Sequence, residues 1–376
     1  ARSIQLHCVQ YSMVTRGFGV SVTVDCPCML SLAKDLKPLQ FWLPNRKSSL
    51  MEKRKLGRDG PNVSLICLGT MTFGEQNTET EGHAQMDCAV DAGVNFLDTA
   101  ELYAIPPKPE TQGSTEQIIG SWFKARRNRD KIILATKVMG RSGMTWFRDD
   151  RSPTRLNKTQ MSEALEKSLK RLGTDYVDLY QIHFPERPMP WGSTPTVWKD
   201  ASFKPLADES SIAEQLDVLD GFVKAGKVRF IGLSNESPWG TMKFLAESDR
   251  LGLPRVQSVQ NAYGLVNRTF ETGSAEITLR EEVPLLAYSP LAQGYLTGKY
   301  RNGALPAGAR KTLFNRLQRY ETPGADVAYE AYFRLAADIG VSPATLALAF
   351  VNSRSFVASN IIGATTMAQL EECLSS

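Results

Sequence analysis

The chain lacks a hydrophobic run approaching the roughly 20 residues that a helix needs to cross a bilayer, so no membrane span is expected. It has only six cysteines in 376 residues, none with metal-binding or redox spacing. Cys26 and Cys28 form CPC rather than C-x-x-C, while Cys67, Cys88 and Cys373 are isolated. We therefore expect no metal site and no disulfide framework, and a reducing compartment is the simplest interpretation. No G-x-G-x-x-G follows a strand pattern, which argues against a Rossmann domain.

Neither sign of charge is in large excess, since the net charge is only +4. The basic residues are scattered over stretches such as LKRLGTDY, where they are typical of solvated helix faces, so nucleic-acid binding is not expected. With 42% hydrophobic and 22% charged residues, the composition is that of an ordinary soluble globular protein. The length suits one barrel of about 250–300 residues plus extensions.

Residues 1–51 differ in pattern from the rest. Residues 1–50 hold six Lys or Arg against two Asp and show no sustained periodicity, and Met51 resembles a natural start. Acid-poor, hydroxyl-containing N-termini are typical of organelle transit peptides. The segment is therefore predicted to be an extension, with a transit peptide and a disordered or artefactual leader as open alternatives.

From residue 52 onward, short apolar runs alternate with amphipathic helical stretches. The runs fall at 63–69, 94–98, 131–137, 176–183, 228–234, 256–261, 284–289 and 356–363. Eight strands alternating with helices predict an α/β fold, the (β/α)8 or TIM barrel, over residues 52–376. The Pro- and Gly-rich stretches 184–210 and 291–320 are predicted to be long loops on the C-terminal rim, where binding sites usually lie.

Polar residues stand at the predicted ends of three successive strands, and a fourth lies just beyond one of them: Asp98, Tyr103, Lys137 and His183. Each alone has a structural explanation: a helix cap, packing, a solvent-reaching lysine or a core histidine. Together they predict a proton-transfer site. An ammonium beside a phenol lowers the phenol pKa, an aspartate holds the ammonium, and a neutral imidazole orients a carbonyl oxygen.

The stretches LGTMTFGEQNTE, FLDTAELY, LATK, DLYQIH, IGLSNE, VQNAY, AYSPL and IIGATT occur in the order seen in the aldo-keto reductase superfamily, which the chain resembles over nearly all of 52–376. The resemblance is strongest to the bacterial Tas-like branch and its plant relatives. It implies NADP(H)-dependent reduction of aldehydes or ketones on a TIM barrel. It also implies that Asp98, Tyr103, Lys137 and His183 form a catalytic tetrad in which Tyr103 is the general acid.

The resemblance further implies an NADPH site. Ser234, Asn235 and Gln260 match the groups that hold the nicotinamide carboxamide, and Tyr288 would stack on the nicotinamide ring. Lys299 and Arg310 are the expected partners of a 2′-phosphate, which favours NADPH over NADH. The pyrophosphate strap corresponds to Ser289, Leu291, Gln293, Gly294 and Leu296, and the adenosine-binding turn and helix to Gly363, Thr365, Gln369 and Glu372.

The sequence departs from the family pattern in three places. Phe184 stands where close relatives often have Trp, and Cys373 where Asn is usual. Relatives continue for about one or two helices past EECLSS, so the barrel is expected to be truncated at its C-terminus.

We predict a cytoplasmic or plastid NADPH-dependent reductase acting on a small-molecule carbonyl. The sequence identifies neither the carbonyl compound nor the oligomeric state. The main alternative is an NADPH-binding redox-sensing or regulatory protein on the same fold, similar to potassium-channel β subunits. A non-functional product, suggested by the unusual first 50 residues, is a third alternative.

Overall fold

A computed structural model describes residues 51–190, 205–315 and 318–376. The predicted N-terminal extension lies outside these ranges except for Met51, so its interpretation as a transit peptide stays a prediction. Residues 191–204, in the middle of the first predicted rim loop, also lie outside them.

The barrel is built from strands that carry buried side chains on both faces, as in parallel sheets covered by helices. The strands are β1 (Lys53–Lys55), β2 (Asn62–Ser64), β3 (Ile66–Gly69), β4 (Phe96–Asp98), β5 (Ile133–Val138), β6 (Val177–Ile182), β7 (Val228–Ser234), β8 (Val256–Ala262), β9 (Leu285–Tyr288) and β10 (Val357–Ile362). Strands β3 to β10 pair in parallel in chain order, and β10 closes onto β3. The predicted (β/α)8 barrel is confirmed.

Helices connect the barrel strands and cover the outside of the barrel. They are α1 (Glu79–Asp91), α2 (Ser114–Arg126), α3 (Lys158–Leu172), α4 (Ile212–Lys224), α5 (Pro238–Leu251), α6 (Ser274–Glu281), α7 (Arg310–Phe314), α8 (Ala325–Asp338), α9 (Pro343–Asn352) and α10 (Met367–Leu374). Local sequence fixes several of their ends. Thr78 with Glu81 forms a capping box that starts α1, and Ser211 with Glu214 does the same for α4.

The first predicted strand, 63–69, is two strands in the structure. Residues up to Ser64 belong to the antiparallel hairpin β1–β2, and the barrel strand β3 starts at Ile66. The chain bends between them, where the Ser64 hydroxyl donates to the Ile66 carbonyl at 2.7 Å. The hairpin packs at the end of the barrel where the strands begin, since Arg54 donates to the carbonyls of Asn352 and Val357.

Apolar side chains fill the barrel interior, and polar groups collect at its C-terminal end. Buried Leu56, Phe96, Leu179 and Leu286 belong to one interior cluster. A larger cluster lies between the strands and the surrounding helices. Within the described ranges, no single helix is long and apolar enough to span a membrane; α8 and α9 pass by length and composition only as a pair bent by 94°.

Candidate active site

The barrel places the four predicted tetrad residues on one part of its C-terminal rim. Asp98 is the last residue of β4, Lys137 lies near the end of β5, and His183 directly follows β6. Tyr103 lies in the segment between β4 and α2. Three adjacent strands thus bring residues far apart in sequence to one place.

Lys137 is the centre of this cluster, with a fully buried side chain. Its ammonium nitrogen lies 2.6 Å from Asp98 Oδ2, 2.8 Å from the Thr99 carbonyl oxygen and 3.2 Å from the Tyr103 hydroxyl. The ammonium donates to a carboxylate and a carbonyl and still reaches the phenol, so the expected aspartate–lysine–tyrosine chain of contacts is present.

The charged groups are held in defined protonation states. Burial alone lowers the pKa of Lys137, but attraction to Asp98 and Tyr103 outweighs it, so the ammonium stays protonated. Burial raises the pKa of the Tyr103 phenol, and Lys137 offsets this only in part. The sequence led us to expect a lowered tyrosine pKa; Lys137 does lower it, but burial is the larger effect. The phenol therefore carries its proton at neutral pH.

His183 faces the same phenol edge-on, with 5.6 Å between ring centres and 83° between ring planes. Burial, reinforced by the positive charge of Lys137, holds the pKa of His183 well below its ordinary value, so the imidazole is neutral. Its Nδ1 atom is buried and has no hydrogen-bond partner among the described residues. A neutral ring beside the phenol can hydrogen-bond an oxygen placed between them.

Gln181 is a member of this cluster that the sequence analysis missed. Its amide donates to Asp98 Oδ1 at 3.2 Å, and Gln260 donates to the same oxygen at 2.8 Å. The two glutamine side chains are also joined to each other at 3.3 Å. Strand periodicity could have indicated Gln181, because it lies two residues before His183 and so on the same face of the strand.

A cavity of about 480 Å³ opens beside the tetrad. Asp98, Tyr103 and His183 line it, whereas Lys137 lies behind them. The predicted cofactor residues that line it are Ser234, Asn235, Gln260, Tyr288, Ser289, Leu291, Gln293, Gly294, Lys299, Arg310, Gly363, Thr365, Gln369 and Glu372. Leu296 is the exception, because its side chain packs in an apolar cluster with Tyr295 and Phe333.

Near the tetrad, the residues predicted to hold the nicotinamide bond to one another. The Asn235 amide donates to the His183 carbonyl at 2.8 Å and to the Ser234 hydroxyl at 3.2 Å, and the Tyr288 hydroxyl donates to the Asn235 side-chain oxygen. Arg319, which the sequence analysis missed, donates to the Tyr288 hydroxyl at 3.3 Å and lines the cavity.

Two cations lie along the cavity wall that follows β9. Burial lowers the pKa of Lys299, and the positive charge of Arg310 lowers it further. Across the part of the chain that the structure describes, the Lys299 ammonium has no carboxylate within salt-bridge distance. It lies 5.4 Å from the centre of the Tyr300 ring, and its side chain passes close to Gly294. Two nearby cations that repel each other form a site suited to a multivalent anion.

The far end of the cavity is formed by α10 and the turn before it. The Gln369 side-chain oxygen accepts from the Thr365 amide at 3.0 Å, and Glu372 accepts from the Ser342 hydroxyl at 2.7 Å. Cys373 lines the cavity and is 2% exposed, and burial raises the pKa of its thiol to about 12. The thiol is therefore neutral here.

An apolar cluster borders Tyr103. Buried Leu102, Met139, Phe147 and Phe184 pack with it. Phe184, where the sequence analysis noted the departure from Trp, lies 5.6 Å from His183 between ring centres. The side chains packed beside the phenol are thus apolar and rich in aromatic and methionine residues.

Comparison with known proteins identifies the family. The model of the aldo/keto reductase family matches residues 65–376. The chain belongs to the aldo/keto reductase family. This places it among oxidoreductases, consistent with the barrel and the arrangement of Asp98, Tyr103, Lys137 and His183.

Three curated relatives illustrate the breadth of the similarity. Protein tas of Escherichia coli is 47% identical over 87% of this chain and 93% of its own length. The uncharacterized oxidoreductase YrpG of Bacillus subtilis is 33% identical over 86% of this chain and 90% of its own. A probable voltage-gated potassium channel subunit beta of Arabidopsis thaliana is 30% identical over the same shares. The predicted resemblance to the Tas-like branch and plant proteins is confirmed.

Proposed function

We propose that the protein reduces an aldehyde or ketone to an alcohol with NADPH, with Tyr103 as the proton donor. The contact between the Lys137 ammonium and the Tyr103 hydroxyl, 3.2 Å, at the wall of a large cavity supports this most directly. It joins a protonated phenol to a buried cation that stabilises the phenolate left after proton transfer.

The residues present suit NADPH. Ser234, Asn235 and Gln260 offer the hydroxyl and amide groups that a carboxamide needs as partners. Lys299, with no carboxylate partner in the described ranges, and Arg310 suit the extra phosphate that distinguishes NADPH from NADH. When bound, NADPH would supply the hydride for the carbonyl carbon.

The side chains orient the carbonyl and supply its proton. His183, neutral and facing Tyr103, orients the carbonyl oxygen by a hydrogen bond. Tyr103 donates its proton to that oxygen as the carbon is reduced, and the electron pair of the O–H bond remains on the phenolate. Lys137 stabilises the phenolate, and Asp98 holds Lys137 in place. Met71, Leu102 and Ile105 line the cavity beside Tyr103, and these apolar side chains suit a carbonyl compound with an apolar body.

The test is NADPH consumption with a panel of aromatic and aliphatic aldehydes, measured for wild type and Tyr103→Phe. Loss of the general acid should lower kcat by at least about 10²-fold and leave NADPH affinity nearly unchanged. Tyr180→Phe is the matched control, since its buried hydroxyl has no hydrogen-bond partner among the described residues and it should retain turnover. Equal turnover in wild type and Tyr103→Phe would refute the role of Tyr103.

A second candidate function is NADPH-dependent regulation of a partner protein. It is favoured by 30% identity to probable voltage-gated potassium channel subunits beta of Arabidopsis thaliana and Oryza sativa. Very slow turnover of every aldehyde together with very slow NADPH release would support it over the reductase. The cytoplasmic or plastid location is likewise a proposal, and fractionation of cells expressing the tagged protein tests it.

A further inference from the structure

Glu101 joins the segment that carries Tyr103 to the strand that carries Lys137. The Glu101 amide donates to the Lys137 carbonyl at 3.2 Å. Its carboxylate accepts from the Met139 amide at 2.6 Å. Glu101 therefore contacts the backbone at Lys137 itself and two residues beyond it, and it does so only two residues before Tyr103.

Arg148 holds the Glu101 carboxylate in this position. Its guanidinium binds both carboxylate oxygens of Glu101, at 2.8 Å and 3.1 Å. The Glu101 carbonyl accepts from the side-chain amide of Gln112 at 2.6 Å, and the Tyr103 carbonyl accepts from the backbone amide of Gly113 at 2.6 Å. The segment between β4 and α2 is thus fixed at both ends, with Tyr103 between them.

Both charges of the pair are almost completely removed from solvent, since Glu101 and Arg148 are each 1% exposed. Burying an ion pair is unfavourable unless geometry and hydrogen bonds compensate. Here the guanidinium makes a two-pronged contact and Glu101 also accepts from the Met139 backbone amide, while Arg148 Nε has no partner among the described residues. Neither side chain lines the cavity, so the pair acts on the reaction only through the residues that it holds.

We propose that the Glu101–Arg148 pair is a positioning device that sets the distance between the Tyr103 hydroxyl and the Lys137 ammonium. The inference rests on the proposed function, because it assigns a purpose to that contact. Tyr103 lies in a connecting segment and Lys137 in a strand, so their separation depends on how the segment docks on β5. Glu101 makes that docking contact, and Arg148 holds its carboxylate in place.

The experiment compares Glu101→Gln with Asp178→Asn in the full-length protein. Asp178, near the start of β6, is a matched control that contacts the opposite end of β5: its carboxylate is buried and accepts from Arg129 at 2.8 Å and from the Leu134 backbone amide at 3.0 Å. For each variant we would measure thermal unfolding, NADPH binding by fluorescence, and kcat and KM for an aldehyde that wild type reduces. Glu101→Gln should lower kcat about tenfold or more, as small misplacements of reacting groups do, with little change in NADPH affinity. Asp178→Asn should lower stability comparably but leave kcat near wild type.

A second comparison separates positioning from general damage. In a Tyr103→Phe background, Glu101→Gln should change the residual rate by less than about twofold, because its effect passes through the missing hydroxyl. If Glu101→Gln does not fold, Arg148→Lys takes its place. This variant keeps the positive charge but loses the two parallel N–H groups that bind both carboxylate oxygens of Glu101, and a smaller fall in kcat is expected.

The outcomes are distinguishable. Two results would overturn the positioning role while leaving the proposed reductase activity intact. One is an equal kcat in Glu101→Gln and Asp178→Asn, and the other is that Glu101→Gln lowers the rate by the same factor in the Tyr103→Phe background as in wild type. A wild type without Tyr103-dependent turnover would overturn the proposed function and this inference with it.

Discussion

At the scale of single residues, the candidate site combines one ion pair with two neutral proton carriers. Asp98 and Lys137 form a buried salt bridge, the Tyr103 phenol keeps its proton, and the His183 ring is neutral, with one ring N–H left to donate. Burial causes both neutral states, raising one pKa and lowering the other. The proposed reduction needs a proton on Tyr103 and an uncharged ring at His183, and the folded protein holds both groups in these states.

This arrangement predicts a flat pH dependence of reduction through the neutral range. His183 should protonate only well below the ordinary histidine value of about 6.5, and Tyr103 should lose its proton only above the ordinary tyrosine value of about 10. The rate should therefore fall at high pH and show no inflection near 6.5. The check is the single-turnover rate of NADPH oxidation at saturating aldehyde.

His83 serves as the control for that pH profile. It is a partly buried histidine that bonds Ser121 at 2.9 Å, remote from the tetrad residues in its contacts. An inflection near 6.5 that persists when both His83 and His7, the other histidines of the chain, are replaced by Asn would assign the titration to the candidate site and contradict a neutral His183.

The sequence predicted the four tetrad residues because each follows or ends an apolar run, a pattern visible without coordinates. Gln181 and Arg319 were missed for different reasons. Gln181 lies inside a run that is buried throughout, so burial does not single it out, and only its position two residues before His183 could have indicated it. Arg319 contacts Tyr288 from 31 positions further along the sequence, a separation that no periodic pattern encodes.

At the scale of elements, strand order could be predicted but strand boundaries could not. All eight barrel strands were predicted, since apolar runs between helical stretches mark them clearly. The run at 63–69 reads as one strand, and only the bend at Ser64 and Leu65, set by hydrogen bonds to Ile66 and Glu52, divides it. The bond from Leu65 to Glu52 reaches a residue outside the run, and a local pattern does not contain that contact.

The segment after β9 contributes Lys299 and Arg310 to one wall, which predicts cofactor selectivity. Lys299→Met should raise KM for NADPH roughly ten- to hundredfold by removing a charge-assisted hydrogen bond to phosphate, with little effect on NADH. Lys311→Met is the control: Lys311 pairs with Glu321 at 2.7 Å and does not line the cavity, so any effect should be equal for both cofactors. An equal rise in both KM values for Lys299→Met would place the 2′-phosphate elsewhere.

At the scale of the whole molecule, the rim segments meet across the cavity. The loop after β3 reaches the segment after β9 where the Gln76 amide donates to the Gly308 carbonyl at 3.1 Å. It also reaches the turn before α10, where Asn77 donates to the Thr365 carbonyl at 3.0 Å. Because β3 lies beside β10 and β10 beside β9, closure of the barrel brings these segments together.

These contacts predict that the β3 loop slows the release of NADPH. Gln76→Ala removes one hydrogen bond across the cavity, which contributes about 0.5–1.5 kcal/mol and corresponds to roughly two- to tenfold faster dissociation. Association should change little, because the charged wall of Lys299 and Arg310 is intact. Stopped-flow displacement of NADPH, followed by its fluorescence, measures both rates. Thr312→Ala is the control, since it removes a 2.7 Å hydrogen bond from the Thr312 hydroxyl to the Pro306 carbonyl. That bond lies within the segment after β9 and does not cross the cavity. Equal acceleration in both variants would mean that the internal order of that segment, and not its contact with the β3 loop, limits release.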